Sequence, residues 1–448
     1  MRRLSAIPML FLLIAFLPSI SFARPNIDKP GYWIKKLRSP DKVVLADDGI
    51  SSLNRLILKQ NDQMADLGSF PDLVSRERLW EWLNHDPIPV YARYNGEGGI
   101  IEDSFFTELI SNMNLDAIGE SNGVRFGFVT SRADVRAFPT GQAVLKSPDK
   151  KEFDTFQYSS IFPGEPVALL HVSRDGQWGF FQTRSVRGWM ELDKAALGDR
   201  EDMEEAGEFV VVTGSMAKVY GGADLKETLS VVPMGALFYI TGREKGLWVV
   251  RYPEKGPEGL VWIDGYMKKK DVSKGFLPYT RRNVILQAFK MLGEEYGWGG
   301  RDGRRDCSEF IKDLFASMGI ALPRNSGNQG LAGNVTAHMD NFYTRDEISG
   351  AIMAAEPGIT LLGTDGHIML YLGDRKGNPY VIHQIFGYMD RDRLKILNKV
   401  AVTDLNIGSR SSSGPFRERI KSVNTISIPP GAQNVTGLEH PRTSQSRF

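Results

Sequence analysis

The stretch Tyr296 to Gln329, YGWGGRDGRRDCSEFIKDLFASMGIALPRNSGNQ, decides how the chain is read. It holds Cys307, the single cysteine among 448 residues. From Cys307 onward, Phe310, Ile311, Leu314, Phe315 and Met318 recur at the i, i+3, i+4, i+7 spacing of an amphipathic helix. Asp306 is a suitable N-cap, and Gly319 with Pro323 beyond it supplies the stop. Cys307 is therefore expected in the first turn, where backbone N–H groups lack intrahelical partners and the dipole is positive. Both features favour thiolate over thiol. Gly299, Gly300 and Gly303 upstream let the chain approach closely and leave the sulfur accessible. A lone helical Cys is more often a small buried hydrophobe, so the thiol needs partners elsewhere before it counts as a nucleophile.

Two such partners stand downstream. Pro357 to Gly373 reads as strand, tight turn, strand, with His367 opening the second strand. Gly377 to Ile385 reads as a further strand carrying His383, reached through a turn across Asp374 to Asn378. A Cys, a His and a third polar group, distant in sequence but gathered by a sheet, make a thiol hydrolase. One imidazole takes the proton and the third residue fixes its ring and tautomer. Two His and one Cys could also ligate zinc. Thiol catalysis explains the helix-start position better, so neither metal nor other cofactor is expected. His338, in a polar stretch before Phe342, is the rival imidazole.

These residues resemble those of the NlpC/P60 family of bacterial cell-wall cysteine peptidases. The likeness rests on Asp306-Cys307-Ser308, on Gly366-His367 opening an apolar strand, and on His383 in the next strand. Tyr296-Gly297-Trp298-Gly299-Gly300 upstream and Leu322-Pro323-Arg324-Asn325-Ser326 after the helix add to it. The match covers residues 278–429 and implies a papain-like α+β catalytic domain. By that resemblance Cys307 is the nucleophile, His367 the general base and His383 the orienting residue. The family usually has Gly where this chain has Glu309. Two residues past the nucleophile, Glu309 is expected to turn away from it and to bear on substrate preference more than on chemistry.

Residues 1–23 read as a signal peptide: Arg2 and Arg3 form a basic start, Pro8 to Leu17 an apolar core, and Ser21-Phe22-Ala23 a cleavage site. The run is too short to span a bilayer comfortably. No Cys follows it, which argues against lipid attachment. Export to the periplasm, or more broadly the envelope or medium, is expected, with no membrane-embedded segment after cleavage. One Cys in an exported chain allows no internal disulfide, so stability must come from ordinary cores. The 42% hydrophobic and 24% charged residues are a globular balance. Removing 23 residues from 448 leaves about 425, enough for two to four domains. A net charge of +1 gives no reason to expect a nucleic-acid partner.

Residues 26–125 read as a helical N-terminal domain, with helices at 51–64 and 104–115 held together by Trp80, Trp82, Val90 and Tyr91. The resemblance implies that it braces the other domains. His85, beside Asp86-Pro87 in a turn, reads as structural. An internal repeat follows. Gly176-Gln177-Trp178 leads to Gly188-Trp189-Met190, and Gly246-Leu247-Trp248 to Trp262-Ile263, with Trp178 and Trp248 70 positions apart. Short strands punctuated by Pro163-Gly164 and Pro233-Met234-Gly235 indicate two small β-barrels. They resemble bacterial SH3 domains at residues 131–197 and 208–272, their Trp residues forming the cores. The fold class is thus multidomain α+β: a helical N-terminal segment, two SH3-like barrels and a papain-like catalytic domain at 278–429. An acidic linker separates the barrels, and residues 430–448, including His440, read as a disordered tail.

For the substrate, the resemblance implies peptidoglycan stem peptides or muropeptides, cut between γ-D-glutamate and the diamino acid. Chains with paired barrels before the catalytic domain resemble enzymes that need a free N-terminal L-alanine, the first barrel partly closing the groove. Asp306 then pairs with the substrate ammonium or is only a cap; both stay open. Tyr296, Trp298, Asp306 and Ser308 are the expected substrate-side residues, with Tyr158 and Glu165 of the first barrel as further candidates. The Cys307 backbone N–H and Tyr296 are candidate oxyanion donors. Two alternatives stand beside this: papain-like amidase or acyltransferase chemistry on another acyl bond, and a non-catalytic wall-binding protein. A monomer is expected.

Overall fold

The computed structural model describes residues 26–203, 207–339 and 343–431. The expected signal peptide, part of the acidic linker and the tail beyond 431 lie outside the described residues. Helices α1 (Pro30–Ile34), α2 (Asp47–Lys59), α3 (Arg76–Leu83) and α4 (Asp103–Asn112) make up the N-terminal part. Asp47 and Asp48 favour the start of α2 through the helix dipole, so it begins four residues before the expected 51 and ends at Lys59. Ser75 caps α3, accepting from the Arg78 amide at 3.3 Å.

These helices do not form one bracing domain. Trp33, Leu53 and Ile57 are fully buried in the core of the C-terminal domain, where the Trp33 ring lies 5.3 Å from Tyr380. Leu79, Leu83, Phe106 and Leu109 instead join Phe156, Trp178 and Trp189 in the core of the first barrel. The segment is split because each short amphipathic helix buries its stripe against the nearest large apolar surface. The expected clasp of Trp80, Trp82, Val90 and Tyr91 is corrected. Trp80, Val90 and Tyr91 are exposed, since Leu79 and Leu83 already occupy the inward stripe of α3. Trp82 alone contributes, with the Arg187 guanidinium 3.8 Å over its ring.

Two seven-stranded antiparallel sheets follow with the same strand order. In the first it runs 157–161, 133–136, 187–191, 178–182, 166–172, 125–129, 195–198; in the second 228–233, 216–220, 259–267, 247–256, 237–244, 209–212, 272–274. The repeat seen at 70 residues is thus a repeat of topology. The first sheet begins at Arg125, ahead of the expected 131, because Arg125 to Phe128 pairs with Pro166 to Leu169 and Phe126 to Val129 pairs with Ala195 to Gly198, joining the last strand to the sheet. Trp178, Trp189 and Trp248 are buried core residues, as read. Trp262 is the exception. It lies between the barrels, edge-on to Phe128 at 4.9 Å, its indole N–H donating to Asp202 at 2.8 Å.

The C-terminal domain holds α5 (Arg281–Lys290), α6 (Cys307–Ala316), α7 (Ser326–Gln329) and α8 (Arg345–Ala354) around a six-stranded antiparallel sheet. Its order is 334–338, 422–425, 360–364, 367–375, 378–390, 393–404. One face, through Ile368, Leu370 and Ile382, packs on α5 and α6; the other, through Met369, Tyr371 and Val381, packs on α8 and Phe416. The period-2 alternation of the strand His367–Arg375 serves both.

The barrels bear on the domain around α6. Gly299 (φ 60°) and Gly300 (φ 77°) sit against the strand Gln157–Ile161, where a Cβ would stand 2.8 Å from Gln157 O and 2.7 Å from Ser160 N. Only glycine fits that left-handed, crowded backbone. Gly235 of the second barrel meets α6 as closely, its missing Cβ 2.5 Å from the Ala316 methyl. Because the N-terminal helices are split between cores, Leu53→Ala is expected to destabilise the C-terminal domain by about 2–5 kcal/mol and Leu79→Ala the first barrel by a similar amount. Proteolysis in increasing denaturant should expose different domains first in the two variants.

Candidate active site

Asp306 caps α6, its Oδ1 accepting from the Glu309 amide at 2.9 Å, and so places Cys307 at the first helical position. The tight turn at Asp365-Gly366 carries the strand His367–Arg375 back past that end. Cys307 Sγ then lies 3.9 Å from the Gly366 carbonyl oxygen. His367 Nε2 is 2.8 Å from His383 Nδ1, with the ring centroids 5.0 Å apart. The Phe416 ring closes over both imidazoles. With Nε2 committed to His383, Nδ1 is the His367 nitrogen left to exchange a proton with substrate or sulfur. The two imidazoles read from the sequence are within hydrogen-bonding reach of each other, and Cys307 lies against the turn that leads into the His367 strand. The rival His338 is in the outermost strand, Asn334–His338.

One partner escaped the sequence reading. His383 Nε2 is 3.1 Å from Thr403 Oγ1, so the hydrogen-bonded row continues one residue further. Thr403 lies on the strand Arg393–Asp404, whose residue opposite His383 is Ala401. Only the strand register could have found it.

The expectation of an accessible thiolate is corrected. Cys307 is only 6% exposed, and that burial, with the adjacent Asp306 charge, pushes its thiol up to about 12. The Arg324 charge and backbone N–H groups pull the other way but lose. His367 is lowered to about 4 by burial and the Arg419 charge, and burial holds His383 well below the usual imidazole range. These directions favour a neutral thiol and neutral imidazoles over an ion pair. Desolvation outweighs the helix dipole here.

A buried charge row anchors the helix. Arg324 binds Asp306 Oδ2 at 2.8 Å and Glu309 Oε2 at 2.5 Å; Lys312 binds Glu309 at 2.9 Å; Arg305 binds Asp313 at 2.7 Å. Both barrels enter it. Ser159 Oγ of the first accepts from Arg324 at 2.7 Å, and the Ser215 carbonyl of the second accepts from Arg305 at 2.8 Å. Glu309 does turn away from the sulfur, as expected. Its carboxylate is committed to Arg324 and Lys312 and is not presented to a substrate. Arg324 is the main residue whose role the sequence did not disclose.

The expected substrate-side residues divide. Tyr296 is near Cys307: burial, then the Cys307 charge, raises its phenol well above the ordinary range, so it stays a donor. Asp306 Oδ2 also accepts from the Gly299 amide at 3.1 Å, and Ser308 Oγ donates to Oδ1 at 3.0 Å, so both carboxylate oxygens are occupied. Trp298 donates to the Asp154 carbonyl at 2.8 Å and packs edge-on to Phe153 at 5.2 Å, walling a cavity of about 200 Å³ with Tyr296 and Phe386. Tyr158 hydrogen-bonds to Asp86, whose carboxyl burial raises. Glu165 is not in this group. It lies with Lys312 and Asp313 along a larger cavity of about 450 Å³, against the side of α6 turned from Cys307. A helix advances 100° per residue, so Lys312 and Asp313 point away from Cys307. No cluster of metal-ligating side chains occurs among the described residues.

Residues 293–387 match the model of the NlpC/P60 family, and residues 144–191 match the SH3 domain (SH3b1 type). The chain is 51% identical over 47 residues to a probable endopeptidase p60 of Listeria innocua, covering 10% of each chain. It is 27% identical over 190 residues to a gamma-D-glutamyl-L-lysine dipeptidyl-peptidase of Bacillus cereus, covering 42% of this chain and 54% of that one. The chain thus spans about a tenth to a half of the length of these relatives. In fold it is similar to an NlpC/P60 endopeptidase of Photobacterium damselae subsp. piscicida, with a TM-score of 0.65 and 19% identity, covering 88% of this chain and 95% of the other.

The charge row carries a pH signature. Burial acts to raise the Glu309 carboxyl, but Arg324 and Lys312 prevail and lower it from 4.5 to about 2. A depressed folded-state value contributes stability above the unfolded value that is lost as pH falls through the folded one. Stability should therefore decline between pH 4.5 and about 2, with at most about 3 kcal/mol from this group. Glu309→Gln should flatten that limb in urea titrations at stepped pH.

Proposed function

We propose that this chain, whose C-terminal part carries an NlpC/P60 domain, is a cysteine endopeptidase acting on peptidoglycan stem peptides. The bond cut is the γ-D-glutamyl–diamino acid amide, with a free N-terminal L-alanine required. The observation that carries the reading is the lone thiol at a capped helix start beside the strand of His367, whose Nε2 is held 2.8 Å from His383 Nδ1.

The chemistry follows from the neutral resting pair. Cys307 Sγ attacks the amide carbonyl as its proton passes to His367 Nδ1, so the thiolate exists only as the bond forms. The oxyanion is received by the Cys307 backbone N–H at the helix start and by the Tyr296 hydroxyl. The His367 imidazolium donates to the departing amine, breaking the C–N bond and leaving a thioester. Water, deprotonated by His367, then hydrolyses it and returns the thiol. His383, neutral throughout, accepts the Nε2–H of His367 and holds the ring.

The dipeptidyl-peptidase name of the Bacillus cereus relative supports cleavage near a free N-terminus. The first barrel bordering Trp298 through Phe153 supports a groove narrowed on that side. Asp306, with both oxygens engaged, serves in this reading as cap and anchor. Tyr296, Trp298 and Ser308 are read as substrate-side residues, and Tyr158 as a first-barrel contact. The second barrel, repeating the strand order of the first, is read as a second SH3-like domain. The enzyme acts as a monomer in the cell envelope, reached through the leader at 1–23. No helix among the described residues is long and apolar enough to cross a membrane.

Cys307→Ala should fold with an unchanged melting curve and lose turnover by on the order of 10⁴-fold or more. Mass spectrometry of digests of L-Ala-γ-D-Glu-diaminopimelate and its N-acetylated form should show cleavage of the free-amine peptide alone. Equal cleavage of both would remove the ammonium requirement, and cleavage of neither would remove the peptidase reading.

A further inference from the structure

We infer that Thr403 is a positioning residue of the catalytic row, its hydroxyl receiving the Nε2–H of His383 at the moment His367 becomes charged. The inference rests on the triad proposed above and concerns what holds its third member.

The argument is one of counting protons. An imidazolium donates from both nitrogens and accepts at neither. When His367 has taken the thiol proton on Nδ1, its Nε2–H must point at His383 Nδ1, 2.8 Å away. His383 Nδ1 is then an acceptor, and the single proton of that neutral ring must sit on Nε2. Nε2 stands 3.1 Å from Thr403 Oγ1. His383 is 0% exposed, and the Phe416 ring, 6.3 Å away and nearly perpendicular, covers it on another side. The hydroxyl oxygen is thus the acceptor in reach.

The opposite arrangement is unproductive. If the Thr403 hydroxyl donated to His383 Nε2, the His383 proton would sit on Nδ1 and donate to His367 Nε2. The His367 proton would then occupy Nδ1, where the thiol proton has to arrive. A hydroxyl can rotate to either role, so Thr403 lets the row adopt the productive order without an unpaired buried N–H. An apolar residue there would leave the His383 N–H without a partner in the productive order; the resting row can escape that by moving the His383 proton to Nδ1, but the charged row cannot, so the penalty falls on the transition state. Thr403 touches neither substrate nor sulfur and acts only through His383.

Thr403→Val and Thr403→Ser test this in the full chain. Valine keeps the β-branched shape that the strand favours, so folding should be retained, with melting curves as the control. Thr403→Val should lower kcat on L-Ala-γ-D-Glu-diaminopimelate by about ten- to a hundredfold with KM unchanged. Thr403→Ser, which keeps the oxygen, should restore most of the rate. Long-range ¹⁵N–¹H spectra of histidine-labelled wild-type protein should show His383 protonated on Nε2. An unchanged kcat in Thr403→Val, equal losses in both variants, or a His383 proton on Nδ1 would overturn the assignment. A wild-type protein that cuts no stem peptide would instead overturn the peptidase reading, and the spectra would still decide the role of Thr403.

Discussion

The pairing of Arg324 with Asp306 and Glu309 is the constraint on which the rest depends. The first turn of α6 carries two carboxylates, at 8% and 4% exposure, beside a buried thiol. Carboxylates removed from water are tolerated only when matched and hydrogen-bonded, because the desolvation cost is several kcal/mol per ion. The Arg324 fork spans both at 2.8 and 2.5 Å and also donates to Ser308 Oγ and to Ser159 Oγ of the first barrel. Without that cation the cap of α6 would carry uncompensated charge and the sulfur would lose its fixed place.

From that pairing follows a division of labour between the domains. The C-terminal sheet supplies the imidazoles, and the barrels supply the frame that holds the Cys307 helix from outside. Ser159 reaches it through Arg324 and Ser215 through Arg305, while Gly299, Gly300 and Gly235 mark where barrel backbone or side chains come too close for a Cβ. The N-terminal helices complete the frame from two sides by contributing Trp33 and Leu53 to one core and Leu79 and Phe106 to another.

The electrostatics of the site also come from packing. A cysteine at a helix start is expected to be acidic, yet here burial and Asp306 raise its thiol while burial lowers both imidazoles. A neutral thiol in a dry site is protected until a substrate brings a carbonyl to it. Behind His367 a hydrogen-bonded row runs through His383 to Thr403.

The local code was legible in the chain itself. Asp306 as cap, the apolar stripe from Phe310 to Met318, the strands bearing His367 and His383, and the doubled Trp spacing of the barrels all follow from short-range preferences that act wherever the segment sits. The buried or exposed state of Cys307, the fate of Glu309 and Glu165, the split of the N-terminal helices, the place of Trp262 between barrels and the partnership of Thr403 with His383 were decided by tertiary contact. Each depends on which surface arrives opposite, and separations as long as the 165 residues between Ser159 and Arg324 leave no periodic trace in a sequence.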